Sequence, residues 1–333
     1  MYCIMRFTLL LGLIFPCYGV IIPIDSPEHY HDFVSFINKY DKKYETYVEY
    51  TTSFYRFVEN TKYIKNHNFP FNLDNNEYMD LSFKQFHLFK KGYKQKNKTT
   101  SCSNFEYENL SVPDSVDWRD RNAVTPVKNQ GQCGSCWSFS ATGAMEGAWA
   151  VKNNELLSLS EQLLIDCSIN YGDFACNGGE MESAFEFAID NGMCTESEDP
   201  YLAKYETCEQ CDTYAYFTDC VSVTPNNELH LKEAVSKGPV SVAIQADTKT
   251  FQFYSGGIIS GDACGTQLDH GVLVVGYGEE DGIKYWLVKN SWGTSWGDAG
   301  YVKIERTDSE NTLGTCGIAM QPSYPIARNS YYY

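Results

Sequence analysis

Apolar and aromatic side chains recur at helical spacing between His31 and Asn68, first at Phe33, Phe36 and Tyr40, then at Tyr50, Phe54, Phe57, Tyr63 and Ile64. A period near 3.6 predicts two helices, broken near Asp41. Their aromatic side needs cover, and the larger remainder of the chain is the natural partner. A short extended stretch near Tyr78 and a helix from Phe83 to Phe89 follow. Lys90 to Ser103 is rich in lysine, serine and threonine, has little to bury, and reads as an exposed link.

Beyond Val112 the pattern changes twice. Behind a loop punctuated by Gly131 and Gly134, Cys136 to about Lys152 is helical through Trp137, Ala141, Ala144, Ala148 and Val151. Ser158 to Cys167 reads as a helix capped by Ser160, with Glu161 and Gln162 in its first turn. Met181 to Gly192 reads as a third, ending at Asn191-Gly192. Apart from a short helix at Asn227 to Lys237, the remainder offers strand-like runs: VSVAIQA, GVLVVGYG, KYWLVKNSW and GYVKIER. Helices first and strands later predict an α+β domain of two unlike lobes around a cleft.

Length and charge narrow the class. At 333 residues the chain exceeds one average domain. Its 43 acidic and 26 basic side chains give a formal charge of -17, which argues against a nucleic-acid binder. The surplus is uneven: 31 acidic against 13 basic residues from Val112 onward, but 12 of each from Val20 to Ser111. The apolar run that follows Arg6 and ends at Phe15 is too short for a durable membrane span and reads as a cleaved secretory signal ending near Gly19. Thirteen cysteines then fall in an oxidising compartment, where disulfides are expected. The sequons at Asn97 and Asn109 lie in the polar link and mark two candidate glycosylation sites.

A cysteine attacks as its thiolate, and a helix N-terminus or a neighbouring imidazolium favours that form. Cys136 stands where the glycine-broken loop enters a helix. Taken alone it equally suits a disulfide, a redox Cys-x-x-Cys with Cys133, or half of a zinc site, although no second matched pair accompanies GQCGSCW. His270, 134 residues on and at the start of a strand, is the candidate base. Asn290, 154 residues on, would orient it, and Trp292 would shield their hydrogen bond. His230 reads as a helix-surface residue. Gln130 is placed to join the Cys136 backbone N–H as an oxyanion donor.

The motifs QGQCGSCWSFS, CNGG, LDHGVLVVGYG and YWLVKNSWGTSWGDAGY together resemble the papain-like cysteine peptidases, cathepsin L type, and the likeness covers nearly the whole chain after the signal. The spacing from Cys136 to His270 and Asn290 is that family's known signature. The resemblance implies a papain-like two-lobed fold, with a helical left lobe, a β-barrel-like right lobe and an N-terminal helical propeptide. It divides the chain into a signal (1–19), an inhibitory propeptide with exposed linker (20–111) and a peptidase domain (112–333). It makes Cys136, His270, Asn290 and Gln130 the catalytic set of a latent endopeptidase that works through an acyl-enzyme and is activated in acid. It pairs Cys133 with Cys176, Cys167 with Cys208 and Cys264 with Cys316. Cys194, Cys211 and Cys220 exceed that pattern and Cys102 lies in the link; a Cys211–Cys220 bridge would leave Cys194 free.

For substrate, the resemblance makes Gly178 and Gly179 a backbone ladder. Met181, Ala243, Leu268 and Gln321 line the pocket for the second residue before the cut, where Leu, Phe or Val is expected. In the propeptide the family's helical motif falls on Glu49, Ser53, Phe57, Asn60, Ile64 and Asn68, with serine in place of arginine. Its second motif falls on Asn76, Tyr78 and Asp80, with Asp74 where glycine is usual. Family propeptides cross the cleft in the direction opposite to a substrate. No cofactor or metal is expected. Expected partners are protein and peptide substrates, the chain's own propeptide and cystatin-like inhibitors, with a monomeric state and no nucleic-acid or membrane partner. The expected compartment is the secretory pathway, then a lysosome, a digestive vacuole or the extracellular fluid. Rival readings are an inactive papain-like binding protein, a thiol oxidoreductase using Cys133 and Cys136, and a Cys-His-Asn acyltransferase such as a transglutaminase or ligase.

Overall fold

The computed structural model describes residues 27–90, 92–95 and 101–330. The signal at 1–19 and the Asn97 sequon lie outside the described residues. The chain divides into two compact units, the first ending at Lys43 and the second starting at Tyr44. The first contains helix α1 (Pro27–Lys39), in which Phe33 stacks on Phe36 and Phe36 meets Tyr40.

The second unit opens with α2 (Tyr47–Lys65), capped where the Thr46 hydroxyl accepts the Glu49 N–H while the Glu49 carboxylate accepts the Glu45 N–H. Phe54, Phe57 and Asn60 are buried, and the Asn60 amide donates to the carbonyls of Met79 and Leu81. Those bonds fix the turn that leads into α3 (Phe83–Lys90). The extended piece in this region is β1 (Asn72–Leu73), paired with β6 (Tyr254–Gly256), whereas Tyr78 lies in the turn.

The helical lobe is built on α4 (Cys136–Asn153), flanked by α5 (Glu161–Cys167) and α6 (Met181–Asn191). Small residues let the sheet close onto α4: a side-chain carbon on Gly143 would come within 2.7 Å of Leu273, and one on Gly147 within 2.5 Å of Pro239. The Ser160 hydroxyl caps α5 by accepting the Leu163 N–H.

The second lobe holds the main sheet, whose strands lie in the order β2 (Ser103–Asn104), β4 (Phe217–Ser222), β11 (Ser323–Ala327), β5 (Val240–Ile244), β8 (His270–Glu280), β9 (Ile283–Lys289), β10 (Tyr301–Glu305) and β7 (Ile258–Ile259). Strand β3 (Val116–Asp117) pairs with the far end of β8. Helices α7 (Glu228–Lys237) and α8 (Lys249–Phe253) lie between its strands in sequence.

The barrel expected of this lobe does not form. The outer strands β2 and β7 are two residues each and pair with β4 and β10, not with one another, so the sheet stays open among the described residues. Closure needs end strands that share a ladder, and these are too short to offer one. The fold is α+β and two-lobed, with a helical lobe and an open-sheet lobe. A second departure concerns the link: Lys90 and Tyr93, read as exposed, are 6% and 5% accessible.

Candidate active site

Cys136 begins α4, the preceding Ser135 makes no side-chain cap, and the Cys136 and Trp137 N–H groups of the first turn face the thiol. The Gly271 N–H, from β8 across the cleft, donates to Sγ at 3.3 Å. Cys136 is the one free cysteine among the described residues. It is fully buried, and that burial pushes its thiol up to about 12; the Gly271 N–H works against this, the Asp269 charge with it.

His270 begins β8 and is 1% accessible. Its Nε2 lies 2.8 Å from the Asn290 Oδ1. That oxygen also accepts the Ser291 N–H at 2.8 Å, so it is the amide carbonyl and Nε2 carries the ring proton. Nδ1 is left as the lone-pair nitrogen, buried and without a hydrogen-bond partner. Burial pushes the imidazole down to about 4; the Asn290 bond opposes the shift and the Lys90 charge adds to it. In this state thiol and imidazole are both neutral.

Gln130 is held by three contacts. Its Nε2 donates to the Cys133 carbonyl at 3.0 Å, and its Oε1 accepts from the Ser291 hydroxyl at 2.8 Å and the Trp292 indole at 3.1 Å. Trp292 is fully buried, its ring 4.7 Å from that of His270. Beneath the site Lys128 bonds both Glu146 and Glu161, while Lys289 reaches Thr125, which itself donates to Glu146. Burial pulls Lys128 down, but the two carboxylates more than offset it and hold it charged; Glu161 is raised by its own burial. This network secures the loop that carries Gln130.

The cleft is occupied by the chain itself. Gly92 and Tyr93 donate to the Asp269 carbonyl, the Gly179 N–H donates to the Gly92 carbonyl, and the Lys94 N–H to the Gly179 carbonyl. Tyr93 and Gly179 form a parallel bridge. Only glycine fits at 92: a side-chain carbon there would lie 2.3 Å from the Gly134 carbonyl oxygen and 3.0 Å from Sγ of Cys136. Above the histidine, Phe86 and Tyr78 meet the Trp292 ring edge-on. These contacts escaped the sequence reading because the lysines around Gly92 and Tyr93 look like a solvated run.

Of the residues assigned to substrate, Gly179 forms this bridge and Gly178 precedes it with φ of 111°. Met181 and Gln321 line one cavity of about 410 Å³ together with Tyr93 and Glu180. Ala243 and Leu268 are not among its lining residues. Ala243 is buried behind its strand partner Gly271, and Leu268 sits against Gly317. His87, Asp247 and Asp269 bring potential metal-ligand atoms within 4.8 Å of one another, in a small pocket that Lys90, His270 and Trp292 also line.

Five disulfides are present among the described residues. Cys133–Cys176 ties the nucleophile's loop to the CNGG loop, Cys167 joins Cys208 and Cys264 joins Cys316. With Cys133 bridged, a Cys133/Cys136 redox pair lacks its second thiol. Of the four cysteines whose pairing the sequence left open, Cys194 joins Cys211 and Cys220 joins Cys102, so neither a Cys211–Cys220 bridge nor a free Cys194 is found. Linear order hid this, because the strand pairing of β2 with β4 brings residues more than a hundred positions apart together.

A family profile described as papain family cysteine protease matches residues 112–326. The chain is 45% identical over 320 residues to digestive cysteine proteinase 3 of Homarus americanus, covering 92% of this chain and 97% of that one. The structure of digestive procathepsin L 3 from Tenebrio molitor larval midgut superposes with a TM-score of 0.81 at 38% identity, covering 89% and 98% of the two chains. The proform of the ragweed pollen cysteine protease Amb a 11 gives 0.82 at 35%, covering 91% and 94%.

Proposed function

Because the chain belongs to the papain family of cysteine proteases, in its cathepsin L-like subgroup, and is a cysteine endopeptidase made as a zymogen, we propose that Cys136 is its nucleophile, His270 its base, Asn290 the orienter of His270, and Gln130 with the Cys136 N–H its oxyanion donors. The observation that carries this reading is the His270 ring, fixed by Asn290 so that its bare nitrogen is Nδ1. Once the cleft is cleared, that nitrogen takes the thiol proton and the α4 N-terminus stabilises the thiolate. Sulfur attacks the peptide carbonyl carbon, the oxyanion is met by the N–H donors, and His270 returns the proton to the leaving amine as the C–N bond breaks. Water then attacks the thioester, His270 takes its proton, and the thiolate leaves.

Residues 1–19 are the secretory signal, 20–111 precede the peptidase domain, and 112–333 form it. The inhibitory part is the portion that covers the cleft, and acid clears it. No described helix is long and apolar enough to cross a membrane. With relatives named as digestive and pollen proteases, this supports delivery through the secretory pathway to a lysosome, a digestive vacuole or the extracellular fluid. The enzyme acts as a monomer, with cystatin-like proteins as inhibitors, and Asn109 and Asn97 are its glycosylation sites.

The family resemblance that groups Met181, Ala243 and Leu268 supports an apolar preference at the second residue before the cut. Fluorogenic dipeptides differing only at that residue test it: Leu, Phe or Val should exceed Arg in kcat/KM by at least about tenfold. Equal turnover of the arginine peptide would remove the preference while leaving the catalytic assignment standing.

A further inference from the structure

The N-terminal region is held to the peptidase domain in two different ways. Gly92 to Lys94 lies in the cleft on non-covalent contacts, backbone hydrogen bonds together with the Tyr93 hydroxyl, which donates to Glu180 at 3.4 Å. Ser101 to Leu110 instead runs along the edge of the main sheet: β2 pairs parallel with β4, and Cys102 is covalently joined to Cys220 on that strand.

The anchoring runs along the whole segment. The Ser101 N–H and hydroxyl donate to Glu186 at 2.8 and 3.0 Å, and the Ser103 hydroxyl to Asp219 at 2.6 Å. The Phe105 N–H donates to the Ser222 carbonyl. Tyr107 stacks on His230 at 4.2 Å, and the N–H groups of Glu108 and Leu110 both reach the Glu233 carboxylate. Lys237 bonds Glu108 at 2.8 Å.

We infer that Ser101 to Leu110 is a permanent strand of the active peptidase, retained through the Cys102–Cys220 bridge when the inhibitory segment departs. The inference rests on the zymogen reading above and refines what leaves on activation. Hydrolysis at the junction before Val112 cannot free the inhibitory segment by itself, because everything N-terminal to the cut stays tied to β4 through Cys102. Release requires a cut ahead of Cys102. A second cut at the junction would then give two chains held by one disulfide, with the strand's non-covalent contacts kept at high effective concentration. The retained strand also covers the β4 edge, which its loss would leave open for pairing with other chains. Asn109 goes with it, so a glycan there would mark the active enzyme.

The test uses the full chain: acid activation, titration with a thiol-directed epoxide, then peptide mapping of the labelled protein without reduction. The expected product carries label, lacks residues 44–90, and contains the Cys102 peptide joined to the Cys220 peptide, whether or not reduction then frees the segment. Labelled enzyme that begins at Val112 and holds no Cys102 peptide would overturn the inference. Protein that retains the bridge, has lost 44–90 and never labels would instead overturn the peptidase reading, and the inference with it. As a second measurement, Cys102→Ser combined with Cys220→Ser should lower the unfolding midpoint of the labelled enzyme by about 5 °C or more. An unchanged midpoint would also count against a strand that belongs to the active fold.

Discussion

The proposed catalytic side chains were singled out by the family resemblance together with their local setting, whereas their protonation was not legible in sequence. Cys136 before a helix, His270 before a strand and Asn290 in the KNSW turn are local features. The depressed imidazole and the raised thiol arise from burial, which no local pattern reveals. Gly92 is the clearest case, since its lack of a side chain matters only because Gly134 and Cys136 lie against it. Gly92→Ala should raise activity of the uncut zymogen at neutral pH about tenfold, measured as initial turnover of a fluorogenic peptide before processing. Gln130→Ala should lower kcat by about 10²- to 10³-fold with little change in KM. Full epoxide labelling of Cys136 in that variant would separate loss of the oxyanion donor from loss of the nucleophile.

At the scale of elements, the period of the apolar positions located α2, α3, α4, α6 and α7 and the long strands β5, β8, β9 and β10, because each buries one coherent face or run. Strands of two residues carry no period, so β2, β3 and β7 were invisible, and with them both the open sheet and the Cys102–Cys220 bridge. Polar residues that hold elements together were equally hard to read. Lys128 looks like a loop lysine, yet it neutralises two buried carboxylates under α4 and α5. Lys128→Met should destabilise the protein by about 3–5 kcal/mol, seen in denaturant unfolding, because it leaves those carboxylates without their partner. Between the N-terminal region and α8, the Asn76 amide donates to the Gln252 carbonyl at 2.6 Å and the Gln252 amide to the Tyr78 carbonyl. Asn76→Ala should therefore weaken latency about tenfold, read as faster acid activation.

For the whole molecule, latency and acid activation follow from one titration. Docked, His270 is depressed to about 4 by burial; freed into water it returns toward an ordinary histidine near 6.5. A base depressed in the docked state favours docking fully above the higher value and loses that contribution as pH falls through 6.5 toward 4. The loss is on the order of 3 kcal/mol over that range. In the docked state Cys136, raised by burial, is a neutral thiol over this range. Lys90 and Asp269 face the same site, and His87 with Asp247 lies beside them, so the slope should approach one proton without being set by His270 alone. In Cys136→Ala zymogen, which cannot cut itself, hydrogen exchange over 83–95 should report an opening free energy that falls between pH 6.5 and 4; a flat profile would sever latency from His270. The family match begins at residue 112, where the acidic surplus of the chain also begins. What was not readable is which part of the N-terminal region stays, since that depends on a bridge between distant strands.

The most direct test of the account is active-site titration of the full chain with a thiol-directed epoxide, before and after incubation at about pH 4.5 to 5.5, with Cys136→Ala as control. Label that appears only after acid and is absent from the control is the predicted result; folded protein with a cleared cleft that takes no label would contradict the assignment of Cys136 as an activated nucleophile.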